Sequence, residues 1–240
     1  LITTIGLVFF IGLFLVSGYM FLTEYMDKKQ SAEEFDSLAQ SLEAGEDQIS
    51  AYDRYYPLYE QNNDFAAWIR IDDTAIDYPV MYHPSEVDYY LKRNFEKQPS
   101  SYGVPYIKEE CSLGSSDNVT IYGHHMKDGS MFSDLIKYQD KAFFDKHKII
   151  HLDTLEGYGE YEIVIVFKTT AYKKESFNYF DYIYFESPEV FNKYIDTCRS
   201  LQLYDTGGTV TYGDKLITLS TCEYSRKDGR MVIVAKKLPS

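Results

Sequence analysis

Cysteine is scarce in this sequence. Cys111, Cys198 and Cys222 cannot all pair within one chain, so at least one thiol stays free. Basic residues are also outnumbered, 24 against 37 acidic, for a formal net charge of −13. Nucleic-acid binding needs clustered Lys and Arg, so this balance argues against such a partner, although it names no substrate by itself. Internal repeats and low-complexity stretches are absent. With an N-terminal apolar segment set aside, roughly 190 to 215 residues are left, enough for one well-packed domain.

That segment, Leu1 to Thr23, has no charged residue. As a helix it measures about 34 Å, enough to cross a bilayer. A cleaved signal peptide would have a shorter apolar stretch and a small-residue site such as A-x-A, which the sequence lacks. The expectation is a retained single-pass anchor over residues 1–23 with the acidic remainder outside the cytoplasm. Residues 24–51 then form a juxtamembrane amphipathic helix and linker, and residues 52–240 the catalytic domain. Within the linker, Ser31 and Glu34 read as a capping box, and Phe35, Leu38 and Leu42 fall on one helical face, expected to pack on the domain. A second short helix is predicted over 52–62.

From Trp68 the hydrophobic period changes to that of strands. Strands are predicted at 68–71, 75–82, 103–108, 118–123, 147–152, 160–171, 208–212, 215–221 and 230–237, with Pro79 marking an edge or irregularity. The 24 tyrosines suit a β-rich surface. Many short strands with few helices predict a mainly β domain, a barrel or sandwich.

The three thiols differ in setting. Cys198 shares helical spacing with Val190, Phe191, Tyr194, Ile195 and Leu201 and reads as core. Cys111 follows Glu109 and Glu110, whose charge disfavours a thiolate, and reads as a surface bystander. Cys222 ends the alternating strand KLITLST and precedes a turn containing Arg226, Lys227 and Arg230, which favours a thiolate. Two further strand ends carry chemistry: NVTIYG runs into His124 and His125, and RMVIVAKK begins at Arg230. A thiol nucleophile needs an acid-base partner and an oxyanion donor, so Cys, His and Arg make a chemically complete set, whereas each alone is weak evidence.

In their local sequences these residues resemble the sortase family of Gram-positive cell-surface transpeptidases. The resemblance rests on YGHHM (Tyr122 to Met126), TLSTC (Thr218 to Cys222) and DGRMVIVAKK (Asp228 to Lys237). Class B fits best, on DFAAWIRIDDTAIDYPVMY, on DYYLKRNF and on a helical stretch, 188–201, set between two late strands. The likeness covers Tyr52 to Leu238. It implies a closed eight-stranded sortase-type β-barrel with N-terminal helices and that inserted helix. It implies Cys222 as nucleophile, His124 as acid-base residue and Arg230 as the group that positions substrate and stabilises the oxyanion. Ser220, Thr221 and Glu223 flank the thiol, and Leu91 lines the substrate groove. Val87 departs from the Asn that some members carry there, and Arg226 is a rival to Arg230.

The implied reaction is cleavage of a C-terminal sorting signal of a secreted protein through a thioacyl-enzyme, with transfer to an amine of the peptidoglycan precursor or of a pilin lysine. No cofactor is implied. A surface cysteine peptidase ending in hydrolysis and a non-catalytic peptide-binding module are the alternatives. No metal site is expected. His147 and His151, read on one extended strand, would stand about 13 Å apart. Asp72-Asp73 and Glu109-Glu110 read as turn and solvated surface rather than calcium ligands.

Overall fold

A computed structural model describes residues 2–43, 49–171, 177–225 and 227–239. Helix α1 (Ile2–Glu43) runs unbroken from the apolar segment into the domain. Its described side chains from Phe9 to Met26 are almost all exposed, while Phe35, Leu38 and Leu42 are buried against the barrel. The capping box expected at Ser31 is not formed, because the preceding residues are already helical. Ser31 instead lies 3.2 Å from the Ser100 hydroxyl. Helix α2 (Ala51–Gln61) is N-capped by Ser50, whose hydroxyl accepts from the Asp53 N–H.

Eight strands follow: β1 (Phe65–Arg70), β2 (Asp77–Met81), β3 (Tyr106–Ile107), β4 (Asn118–Tyr122), β5 (Ile149–Asp153), β6 (Glu160–Thr170), β7 (Leu216–Glu223) and β8 (Gly229–Lys237). They close in the order β1-β2-β3-β4-β7-β8-β6-β5. The mainly β expectation and its closed barrel therefore hold. All pairings are antiparallel except β2 with β3 and β4 with β7. Pro79 pairs with Trp68 on β1, and toward β3 the pairing of β2 is recorded only at Met81, which suits a residue without an N–H. A short helix α3 (Lys141–Phe144) leads toward β5.

Side chains alternate between two cores. Ile217 and Leu219 of β7, Val119 and Ile121 of β4, and Met231, Ile233 and Ala235 of β8 fill the barrel. Leu216, Val232 and Val234 face outward and pack under helix α4 (Pro188–Leu201), the insertion between β6 and β7. Helix α4 begins at a Ser187 N-cap followed by proline and buries Phe191, Tyr194, Ile195 and Cys198, a spacing that makes one apolar stripe.

The structure corrects several expectations. Residues 208–212 form no strand, although GTVTY alternates: a closed barrel has no free edge to receive it. Gly208 lies against Val164, where a Cβ would meet the Val164 Cα at 2.9 Å. Strand β3 is only two residues long. His147 precedes β5, its Nδ1 2.8 Å from the Phe143 carbonyl, so the two histidines do not share a strand. Cys111 is fully buried, not superficial, and burial more than its acidic neighbours raises its thiol pKa.

Candidate active site

The parallel pairing of β4 with β7 sets the site. Tyr122 stands opposite Ser220, so two residues further along each strand lie His124 and Cys222. The Gly123 N–H donates to the Ser220 carbonyl (3.2 Å), the Thr221 hydroxyl to the Gly123 carbonyl (2.7 Å), and His125 Nδ1 lies 3.0 Å from the Cys222 carbonyl. These bonds carry the register past the end of β4. On the other side of β7, Cys222 stands opposite Arg230 of β8. Three strands converge here.

Period-two alternation puts all three on one face. Cys222 has the parity of Leu216, Thr218 and Ser220, His124 that of Asn118, and Arg230 that of Val232 and Val234. Further down the same face, Thr218 and Asn118 bond the Tyr194 hydroxyl at 3.3 Å, and Ser220 bonds the Tyr179 hydroxyl at 2.6 Å. The tyrosines cover the middle of this face and leave its end open. Gly123 has the opposite parity and faces the interior, where a Cβ would meet the Phe132 ring at 2.5 Å.

The open end is a cleft of about 240 Å³ lined by Asp88, Leu91, Tyr106, Tyr122, Gly123, His124, Ser220, Thr221, Cys222 and Arg230. Six of the seven residues expected from sequence therefore meet there. Glu223, of inward parity, does not line it: Lys168 (3.3 Å) and Ser225 (2.6 Å) hold its carboxylate. Burial pushes the Glu223 pKa up, but those hydrogen bonds outweigh it and hold the group below its ordinary value. Ser220 and Thr221 are almost fully buried, so they shape the floor rather than offer free hydroxyls. Val87 is exposed and outside the lining, and Arg226 lies outside the described residues.

The wall opposite the thiol comes from the 3₁₀ turn Tyr89–Lys92. The Leu91 carbonyl lies 2.7 Å from His124 Nε2. A carbonyl only accepts, so Nε2 carries a proton and, in the neutral ring, Nδ1 is the basic nitrogen. Asp88, in the left-handed region at φ 54°, is fixed by the Tyr106 hydroxyl at 2.6 Å. Asp88, Tyr106 and Tyr122 escaped sequence reasoning. Only the neighbourhood of Leu91 hinted at the first, Tyr122 opens the YGHHM motif without an assigned role, and nothing marked Tyr106 among so many tyrosines. His125 stacks on Tyr224 instead, with ring centroids 4.9 Å apart.

Cys198 is fully buried under α4, where desolvation raises its pKa strongly. Of the three thiols only Cys222 is partly exposed. A larger opening of about 400 Å³ at the other end of the barrel, around Leu155, Tyr158 and Lys237, is lined by neither cysteine nor histidine. Among the described residues no group of His, Cys, Asp and Glu is arranged to hold a metal ion. Asp72 instead pairs with Arg70, and Glu110 with Lys108.

Comparison with known proteins gives this arrangement a context. A family model described as a sortase domain matches residues 69–238. Sortase B of Listeria monocytogenes is 34% identical over 94% of this chain and 92% of its own length. Sortase B of Staphylococcus aureus is 29% identical over 97% and 95%. The structure of a Staphylococcus aureus sortase B-substrate complex superposes with a TM-score of 0.80 at 29% identity, covering 89% of this chain and 98% of that one. Sortase B from B. anthracis in complex with AAEK1 gives 0.78 at 30% identity, covering 90% and 100%.

Proposed function

The chain belongs to the sortase family and is a sortase-type cysteine transpeptidase, and from that premise we propose that Cys222, His124 and Arg230 carry its reaction. The observation that supports this most directly is the shared face and register of three strand ends, which bring a partly exposed thiol, an imidazole and a guanidinium to one cleft.

The substrate is a C-terminal sorting signal of a secreted protein, seated along Leu91 and the cleft floor. The Cys222 sulfur attacks a threonyl carbonyl carbon. Arg230 donates hydrogen bonds to the oxygen as it gains charge, a role that a fixed cation performs without reorganisation. The C–N bond then breaks, His124 delivers a proton to the departing amine, and a thioester to Cys222 remains. With Nε2 held by the Leu91 carbonyl, Nδ1 is the nitrogen that takes the Cys222 thiol proton for the attack and then gives it to this amine. An acceptor amine next attacks the thioester carbon, loses a proton to His124, and expels the thiolate. One amide replaces another, so no external energy source enters the balance. The amine belongs to a peptidoglycan precursor or to a pilin lysine. The exposed apolar part of α1 is long enough to cross a membrane and supports a single-pass anchor over residues 1–23, with residues 52–240 as the catalytic domain on the outer side.

Intact-mass detection of a thioacyl adduct across a panel of sorting-signal peptides tests this reading. The expected result is one acyl group on Cys222, discharged by added amine. Full transfer activity in Cys222→Ala would refute the nucleophile. Predominant free acid despite abundant amine would make the enzyme a hydrolase in practice.

A further inference from the structure

We propose that Asp27 and Lys28 of α1, immediately beyond the apolar segment, are positioning residues that hold the two sides of the His124–Leu91 contact. This rests on the reading of His124 as the acid-base residue.

No ladder hydrogen bond fixes the Leu91 backbone, although its side chain packs against the barrel core. Its segment, from Asp88 to Val104, contains one 3₁₀ turn and an isolated bridge between Arg93 and Pro99 but no ladder strand. What brackets its carbonyl is a second strip of chain. The Ser100 N–H donates to the Lys92 carbonyl (3.0 Å) and the Val104 N–H to the Tyr90 carbonyl (3.2 Å), bracketing Leu91. Gly103, at φ +60°, lies so close beneath that a Cβ there would sit 2.6 Å from the Leu91 oxygen itself. Asp27 secures this strip. One carboxylate oxygen accepts from the Ser100 hydroxyl at 2.9 Å, and the other accepts from the Ser101 N–H at 2.8 Å and from the Ser101 hydroxyl.

Lys28 reaches the other side. Its ammonium lies 3.3 Å from Asp128, in the loop that follows His124. Asp128 also accepts from the N–H (3.1 Å) and hydroxyl (2.7 Å) of Ser130. The Phe132 N–H closes the loop on the His124 carbonyl at 2.8 Å. Tyr102 joins the two routes, since it follows Ser101 and donates to Asp128 at 2.8 Å. Adjacent residues of one helix thus brace the loop that supplies the carbonyl and the loop that carries the imidazole. A side chain held by loops keeps catalytic geometry only as well as its supports are held.

The test uses the full chain in detergent micelles. Asp27→Asn keeps the volume but removes the charge and leaves one acceptor oxygen where the Ser100 and Ser101 donors now find two. It is expected to lower kcat about tenfold with KM nearly unchanged, the scale of a sub-ångström displacement of a reacting group. The nitrogen resonances of His124 should move from a single Nε2–H tautomer toward a mixture, with the melting temperature retained. Lys28→Ala, which removes a half-exposed pair, should act in the same direction and more weakly, and Lys29→Ala, whose ammonium among the described residues pairs with Glu33 within its own helix, should match wild type. If Asp27→Asn does not fold, Ser101→Ala removes one of the same bonds from the other side and should show the same two changes. Unchanged kcat and unchanged His124 resonances in Asp27→Asn, beside an inactive His124→Ala, would overturn the proposal. So would a loss of kcat with the tautomer intact. Full activity in His124→Ala would instead remove the reading on which it rests.

Discussion

Replacing Glu34 with glutamine should stabilise the protein, and only above mildly acidic pH. Glu34 sits where α1 crosses the Asn94–Glu96 turn, and neither carboxylate oxygen has a hydrogen-bond partner or exposed surface. Burial, with the Glu96 charge adding to it, raises the Glu34 pKa from about 4.5 to about 7, and the nearby polar groups of Phe95, Glu96 and Asn94 offset only part of this. The folded state therefore holds a proton that the unfolded state releases, and folding stability falls as pH rises from about 4.5 to about 7. The full shift is worth about 3 kcal/mol; because the residue as a whole is only partly buried although its oxygens are covered, about 1 to 2 kcal/mol is the expectation. Glutamine carries no such linkage. In thermal unfolding of the full chain in detergent, Glu34→Gln and wild type should coincide near pH 4.5 and separate to about 4 °C by pH 8, the variant being more stable. Titrating groups that do not interact with Glu34 act equally on both proteins, so the difference isolates this carboxyl and its coupling to Glu96. Curves that stay parallel from pH 4.5 to 8 would refute the reasoning.

Other sites give sharper contrasts. Gly123→Ala should cost about 1 to 3 kcal/mol by driving a methyl into the buried Phe132 ring, and should lower kcat as well because the displaced strand end carries His124; melting temperature and turnover together report this. A thiol reagent should label Cys222 alone in the folded protein and add Cys111 and Cys198 only after denaturation, as peptide mapping by mass would show. Arg230→Lys keeps the charge but not the fork of donors, so kcat should fall about 100-fold in a peptide-transfer assay while the melting temperature holds. Glu223→Gln should behave in the opposite manner, losing about 1 to 2 kcal/mol through its Lys168 and Ser225 partners with little change in KM. Because the Glu223 pKa is depressed, its contribution is present above the ordinary carboxylate range and disappears as pH falls below it.

The strand ends bearing His124, Cys222 and Arg230 were legible because alternation and local motif coincide there, and α4 was legible from its apolar stripe. Their meeting was not, since it depends on a parallel pairing between residues almost a hundred positions apart, which leaves no local signal. Glu223 shows the cost of reading neighbours in sequence as neighbours in space. It adjoins Cys222, yet on a strand the next residue faces the other way. Cys111 misled because acidic neighbours describe only its chain, whereas its burial is set by the barrel. At Ser31 the cap pattern was present but a helix was already running through it, and a cap has nothing to satisfy within a helix. The Leu91 carbonyl could not be read at all, because every residue carries one.

These differences share a physical origin in how the site is assembled. Strands β4, β7 and β8 lie side by side at the fixed spacing of a hydrogen-bonded ladder, about 4.8 Å per step. Imidazole, thiol and guanidinium therefore approach the cleft from three consecutive ladder positions, a spread suited to one tetrahedral carbon with its sulfur and oxygen. Changing that spread means breaking a closed barrel, so mutations in the ladder should appear first as loss of stability. The carbonyl that selects the protonated nitrogen of His124 is not on the ladder. It comes from an irregular segment tied down by hydrogen bonds and glycine packing, where a single lost acceptor can shift geometry without unfolding anything. Stability and turnover should therefore separate across this molecule: substitutions that distort the ladder backbone, as at Gly123, move both together, and substitutions around residues 27, 28, 100 to 104 and 128 move turnover alone.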